Sequence, residues 1–214
     1  GKETFYLWEN DMEEKLVLKY IYDCCDKVNW EFNQIIELSN KLRISTYYVN
    51  EADFIVVSKD SYMYKYDILD NLKDGGVFFL NTNLEGDVLI KSLPNKVKCL
   101  LAEKHAKFYT IDAYSLVNDL GLKNKINTCM ETCIFKIMDS YDINKIIKIM
   151  KENNKLRFSS KGQNIIDINN KVIDESIKYL KEIKVDEEWI NLEVKDNKKL
   201  NFNETINLLK GDSL

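Results

Sequence analysis

The stretch INTCMETCIF, residues 126–135, places Cys129 and Cys133 four apart with a threonine before each. On a helix, positions i and i+4 share a face. The spacing therefore suits either half of a thiolate metal or redox site, or one stripe of a packed helix that continues to Ile137 with Ile126 and Met130 beside it. Two thiols do not complete the four ligands that zinc or an iron–sulfur cluster demands. Cys24 and Cys25 are adjacent, Cys99 stands alone in an apolar run, and no Cys–Cys or Cys–His pair elsewhere has ligand spacing. A free cysteine behaves as a small buried hydrophobe. Core packing is the simpler reading, and a free-standing thiol redox or metal protein built on Cys24, Cys25, Cys129 and Cys133 is the alternative.

His105 is the sole histidine. It suits a general base or, more simply, a surface position at a helix end. The flanking lysines of KHAK would lower its pKa if they lie close. Asp112, Asn81 and Ser58 each end a strand-like run, and ligands of open α/β sheets gather at such ends. The competing reading is that Asp112 caps the helical pattern AYSLVNDL and Asn81 caps the turn after it.

The elements that would position these residues are legible in part. FIVV (54–57), VFFL (77–80) and KFYTID (107–112) are apolar, β-rich runs of buried-strand type. Tyr62, Tyr66, Leu69 and Leu72 recur at helical spacing before Asp74-Gly75-Gly76, which reads as a helix stop. Shorter helical patterns follow at Asp87–Ser92 and, after Pro94, at Val97–Lys104. Helices are then expected at about 113–120, 125–139, 142–154 and 163–183, the last with Ile165, Ile168, Val172, Ile173, Ile177 and Leu180 on one face. KLVLKYIYD (15–23) and WEFNQIIEL (30–38) fit strand or helix, and ISTYYV (44–49) reads as extended. The tail beyond about 185 is polar, with Trp189 and Ile190 to tack it to the body. The pattern predicts an α/β fold, a mainly parallel sheet flanked by helices with a helical C-terminal half, in one domain spanning 1–214.

The 214 residues are long enough for a sizeable core, and 45% apolar with 31% charged residues is ordinary for a globular protein. A net charge of -4 with no basic, aromatic-interleaved run argues against nucleic acid. No apolar stretch approaches the roughly 20 residues of a membrane span, and GKETFYLWEND does not read as a secretory signal. Odd-numbered cysteines without an export signal suggest reduced thiols, hence a cytoplasmic or similarly reduced compartment. There is no GxGxxG and no Walker-type run.

Quoted in order, ISTYYVNEADFIVV, KYDILDNLKDGGVFFLNTN, KFYTIDAYSLVNDLGLKNKINTCMETCIF, SSKGQNIIDINNKVIDESIKYLKEIKV and LLKGDSL resemble the gamma-type domain of pyruvate:ferredoxin (flavodoxin) oxidoreductases, also found in pyruvate:NADP oxidoreductase. The family pattern runs roughly R-S-T-Y, A-D-F, K-Y-D-x-L, G-G-x-F-L-L-N-S, K-F-Y-x-I-D-A, I-N-T-x-M-Q-T-C-F-F, Y-x-x-K-G and K-G-D-x-L. The likeness covers about 44–214, and several motifs recur in one order.

The resemblance implies a domain excised from a larger enzyme that makes acetyl-CoA and carbon dioxide from pyruvate and coenzyme A. Thiamine diphosphate and iron–sulfur clusters would lie on other domains. Electrons would pass to ferredoxin, flavodoxin or, through a fused flavoprotein module, NADP. The parent would be a homodimer in the cytoplasm or in a reduced organelle such as a hydrogenosome or mitochondrion-related compartment. This domain would cover the active-site region and help position coenzyme A. By motif match, Ser45, Thr46 and Asn127 would lie nearest the coenzyme, as hydrogen-bonding and positioning groups. No residue of the chain takes a catalytic role or ligates metal in this reading. The family's glycine-rich G-S-D-G-T-V-G-A loop is absent, and CCDKVNWEFNQIIELSNKLR (24–43) departs from its Gly-Gly and His-Leu-Arg-Phe-Gly runs. A related possibility is a degenerate assembly domain of a flavoprotein of the sulfite reductase type.

Without a thiamine-binding or cluster-binding motif, the isolated chain is expected to show no pyruvate-dependent reduction of methyl viologen. Dye reduction by the purified chain would contradict this.

Overall fold

The computed structural model describes residues 5–8, 52–139 and 142–194. The expectations for 15–23, 30–38 and 44–49, and the residues Cys24, Cys25, Ser45 and Thr46, lie outside these. The chain divides into two compact units, one of 1–9, 47–111 and 181–214, the other of 10–46 and 112–180.

The first unit holds a five-stranded sheet in the order β1-β2-β3-β4-β5. Its strands are β1 (Phe5–Trp8), β2 (Ala52–Val57), β3 (Leu72–Asn81), β4 (Lys107–Ile111) and β5 (Lys181–Ile183). The first four pair in parallel and β5 joins antiparallel to β4. The expected mainly parallel α/β sheet is therefore observed. Parallel pairing requires crossovers. These are α1 (Tyr62–Lys65), then α2 (Gly86–Ser92) and α3 (Asn95–Glu103).

Successive strand residues face opposite sides of a sheet. Ile55, Val57, Phe78, Leu80 and Phe108 turn one way and form a single buried cluster with Leu89, Leu93, Val97 and Leu101 of the crossover helices. Phe54, Val56 and Phe79 alternate with them and are buried too, which is why these strands read as continuous apolar runs. At the centre Phe78 and Phe108, register partners on β3 and β4, stack with ring centroids 5.2 Å apart.

The helical expectation for Tyr62–Leu72 is corrected. Only Tyr62–Lys65 is helical, Tyr66 is extended, and β3 begins at Leu72. Ile68 and Leu69 reach the core from a turn instead, and Leu72 from the start of β3; Lys96 ties that turn to α3 through Asp67 (3.0 Å) and Asp70 (3.1 Å). Asp74-Gly75-Gly76 is a bulge in β3 and no helix stop. Ala52 pairs with Leu72 but Phe54 with Val77, so Lys73–Gly76 must be absorbed against Asp53 alone. Gly75 does this at φ +70 and donates its N–H to the Lys104 carbonyl at 2.7 Å. A Cβ at Gly76 would meet Leu72 Cδ1 at 2.7 Å and the Lys73 carbonyl at 2.9 Å.

The second unit is helical: α4 (Ala113–Asp119), α5 (Asn127–Met138), α6 (Ile143–Arg157), a 3-10 turn at Ser159–Lys161, and α7 (Gln163–Tyr179). The expected 163–183 helix is too long. Leu180 is extended and Lys181–Ile183 hydrogen-bonds the edge of β4, because an open strand edge offers an unpaired row of backbone groups. The tail is tacked as expected: Trp189 packs on the core cluster, and the Cys99 thiol meets the Ile190 carbonyl at 3.5 Å.

Phe108→Ala is expected to lower unfolding free energy by about 3–5 kcal/mol, since it removes a fully buried ring and its stacking partner. The measurement is urea unfolding, with a lower midpoint and an unchanged slope.

Candidate functional site: a cationic cleft at the start of α5

Residues Thr128 to Phe135 of α5 are all buried, the polar Thr128, Glu131 and Thr132 among them, so this stretch is closed to water around its whole circumference. Cys129 and Cys133 are both fully buried on it. The Cys133 thiol points at the Ser176 carbonyl of α7 at 3.6 Å. Burial, then a hydrogen bond and charge interaction with Cys129, push the Cys133 thiol well above its ordinary pKa. A thiol held protonated and away from water is a poor nucleophile and ligand. Among the described residues no three His, Cys, Asp or Glu side chains gather as a metal site. The packing reading of the pair accounts for its geometry.

The strand-end residues are engaged structurally. Asp112 accepts from the Ser115 N–H at 3.0 Å and so caps α4, as expected. The Asn81 amide donates to the Ser58 carbonyl at 3.0 Å and ties the ends of β3 and β2 together. His105 is exposed at φ +46. Its pKa is raised, contrary to the expectation from the flanking lysines, because Asp74 accepts from its Nδ1 at 2.7 Å.

The open end of α5 is where polar groups converge. Asn127 is its first residue, and Ile126 at the cap position cannot bond the first-turn N–H groups, which carry partial positive charge. Asn127 and Thr128 line a cleft of about 440 Å³ within the second unit. Gly121, Leu122, Lys123 and Lys125 form one wall, Arg157, Phe158 and Lys161 another, and Ile165 and Asn169 of α7 the third. Four of these residues are cationic and none is acidic, in a chain whose acids outnumber its bases. Clustered like charge around a low-dielectric recess focuses potential toward an anion.

The remaining features refine what could bind. Arg157 and Lys161 lie over the Phe158 ring, 5.5 and 5.6 Å from its centroid, so an aromatic ring sits among the cations. The Asn127 Oδ1 is buried without a hydrogen-bond partner. Such an orphan acceptor costs about 1–3 kcal/mol unless something donates to it. Asn169, buried on α7, donates to the Ile165 carbonyl at 2.8 Å and accepts from Thr128 Oγ1 at 3.4 Å. Gly162 at φ +89 makes the turn from the 3-10 segment into α7, a conformation open to glycine. A cleft with cations, one aromatic ring and one waiting acceptor suits a ligand that carries phosphates, a ring and an N–H group.

Of the three sequence-derived site residues, Asn127 lies in this cleft, and Ser45 and Thr46 fall outside the described residues. Sequence reasoning did not single out Lys123, Lys125, Arg157, Phe158, Lys161 or Asn169. Lysines are so abundant in this chain that no local cluster stood out. The one available signal was the SSKG turn beside the INT run.

A family model described as "Pyruvate ferredoxin/flavodoxin oxidoreductase" matches residues 35–179. A relative named pyruvate:ferredoxin oxidoreductase, from Moorella thermoacetica, is 33% identical over 145 residues, 68% of this chain and 12% of that protein. A pyruvate-flavodoxin oxidoreductase of Enterobacter agglomerans is 34% identical over 71% of this chain and 13% of its own length. A pyruvate dehydrogenase [NADP(+)] of Cryptosporidium parvum is 32% identical over 69% of this chain and 8% of its own. The chain thus spans about an eighth or less of these curated relatives. Among solved structures, the pyruvate oxidoreductase subunit PORC of Thermotoga maritima aligns with a TM-score of 0.50 at 16% identity, over 64% of this chain and 67% of that one. At that identity the likeness concerns the fold. Among the described residues, no helix is long and apolar enough to cross a membrane.

The buried thiols yield a direct expectation. In native protein at pH 8, peptide mapping after alkylation should find Cys129 and Cys133 unmodified while half-exposed Cys99 reacts. Denaturant should equalise all three. Rapid native labelling of Cys133 would overturn the packing reading.

Proposed function

The chain belongs to the pyruvate ferredoxin/flavodoxin oxidoreductase family, and from that premise we propose that it is the gamma-type domain of a larger enzyme that positions coenzyme A. The parent reaction converts pyruvate and coenzyme A to acetyl-CoA, carbon dioxide, two electrons and a proton. The electrons go to ferredoxin, flavodoxin or NADP. Thiamine diphosphate and iron–sulfur clusters supply the carbon and electron chemistry on other domains of that enzyme, which is a homodimer of the cytoplasm or a reduced organelle. In this reading the chain's own part is binding, and no redox step is routed through its residues.

The observation that carries this reading is the convergence of four cations on the cleft that holds Asn127. Coenzyme A offers what such a cleft asks for: a 3'-phosphate and a diphosphate for Lys123, Lys125, Arg157 and Lys161, an adenine for the Phe158 ring, and N–H groups for the orphan Asn127 oxygen. The chain's part is binding and orientation. Held at one end by its phosphates, the coenzyme keeps its thiol end free for the acyl carrier elsewhere in the enzyme. Positioning of this kind raises the effective concentration of one reactant beside the other.

Calorimetric titration of the chain with coenzyme A tests it. Lys125→Ala and Lys161→Ala are each expected to weaken binding by about 1 kcal/mol, roughly fivefold, with a shallower salt dependence. A wild-type chain that shows no coenzyme A binding at low salt would remove this reading and leave a scaffold role.

A further inference from the structure

The turn between α4 and α5 carries two successive left-handed residues; a backbone bond from the Lys125 N–H to the Leu122 carbonyl (3.3 Å) closes it, and one side chain outside the cleft braces it. α4 ends in a glycine-terminated cap: Leu122 N–H bonds the Val117 carbonyl (2.8 Å) and Gly121 N–H bonds the Asn118 carbonyl (2.9 Å), with Gly121 at φ +90. The next residues, Lys123 at φ +44 and Asn124 at φ +66, are also left-handed. Asparagine tolerates that region and lysine does so less readily, and the pair makes the kind of turn whose two central residues are both left-handed. Beside the backbone bond that closes it, the bracing group is the Asn118 carboxamide. Its Oδ1 accepts from the Asn124 backbone N–H at 2.7 Å, and its Nδ2 donates to Asn124 Oδ1 at 2.9 Å. Asn118 itself is exposed and does not line the cleft. The turn it holds delivers Lys123 and Lys125 to the cleft wall and leads directly into Asn127.

We propose that Asn118 is a positioning residue of the coenzyme site: its two hydrogen bonds to Asn124 hold the Lys123–Asn124 turn left-handed and so aim Lys123 and Lys125 at the phosphates. This rests on the reading of the cleft as a coenzyme A site. Without the clamp only the 3.3 Å bond from the Lys125 N–H to the Leu122 carbonyl is left across the turn, and the two exposed lysines are aimed less narrowly at the cleft. The turn thus keeps its geometry at a surface loop, where a polar clamp is compatible with water and a packed apolar one is not.

The test is a thermodynamic cycle on the complete natural polypeptide, with coenzyme A as the titrant. Asn118→Ala is expected to weaken binding about fivefold to tenfold, close to the loss caused by Lys123→Ala/Lys125→Ala. In the doubly lysine-deleted background, adding Asn118→Ala is expected to change affinity less than twofold, because the groups it positions are gone. Asn124→Gly, which accepts left-handed angles without strain, should restore part of the affinity lost in Asn118→Ala. Full, multiplicative loss in the lysine-deleted background would mean a merely structural role and overturn the proposal, as would unaltered binding by Asn118→Ala. If removing both lysines leaves coenzyme A binding intact, the coenzyme reading itself falls. Lysine sensitivity without Asn118 sensitivity sinks only this inference. Should Asn118→Ala fold poorly, Asn118→Asp retains the acceptor for the Asn124 N–H and loses the donor, and must then show an intermediate loss.

Discussion

Everything at the candidate site depends on α5 being shut to water from Thr128 to Phe135 and opening at Asn127. From Thr128 to Phe135 no residue of that helix is exposed, and the two thiols that draw the eye lie inside this sealed stretch. A helix buried on all sides can present functional groups only at its termini. Its N-terminus adds first-turn N–H groups and the positive end of the peptide dipoles, and the chain surrounds that end with lysine and arginine. The polar group that reaches the cleft is therefore on the first residue of the helix, Asn127, and not in its sealed middle.

Two neighbouring elements serve the same end. The Thr128–Asn169 contact joins the first turn of α5 to the second turn of α7, and the 3-10 segment and Gly162 bring Lys161 around to the same opening. Phe158 sits where α6 stops, so its ring can share the cleft with the cations that flank it. Each wall thus comes from a helix end or a turn, where backbone direction changes and side chains can converge.

The sheet unit obeys a different constraint. β2 and the second half of β3 are buried on both faces, and long-range pairing overrides local preference where the two compete. Leu72 lies in phase with a helix but pairs with Ala52, and the Lys73–Gly76 bulge absorbs the mismatch in residue count. Lys181–Ile183 continues a helical pattern but bonds the free edge of β4. In both places a backbone row of donors and acceptors offered more than one further helical turn.

The sequence by itself determined the fold class, the three apolar strands, the helical C-terminal half, the cap at Asp112 and the family motifs that point to Asn127. Each rests on local periodicity, on a short-range hydrogen bond or on residue order, all of which are written along the chain. Only the tertiary structure decided the β3 bulge, the β5 edge strand, the pairing of His105 with Asp74, and the gathering of Lys123, Lys125, Arg157, Phe158 and Lys161 around one recess. Those features join residues dozens of positions apart. Periodicity carries no information about which turn will meet which, and in a lysine-rich chain the charge of a single segment does not reveal a cluster assembled from three.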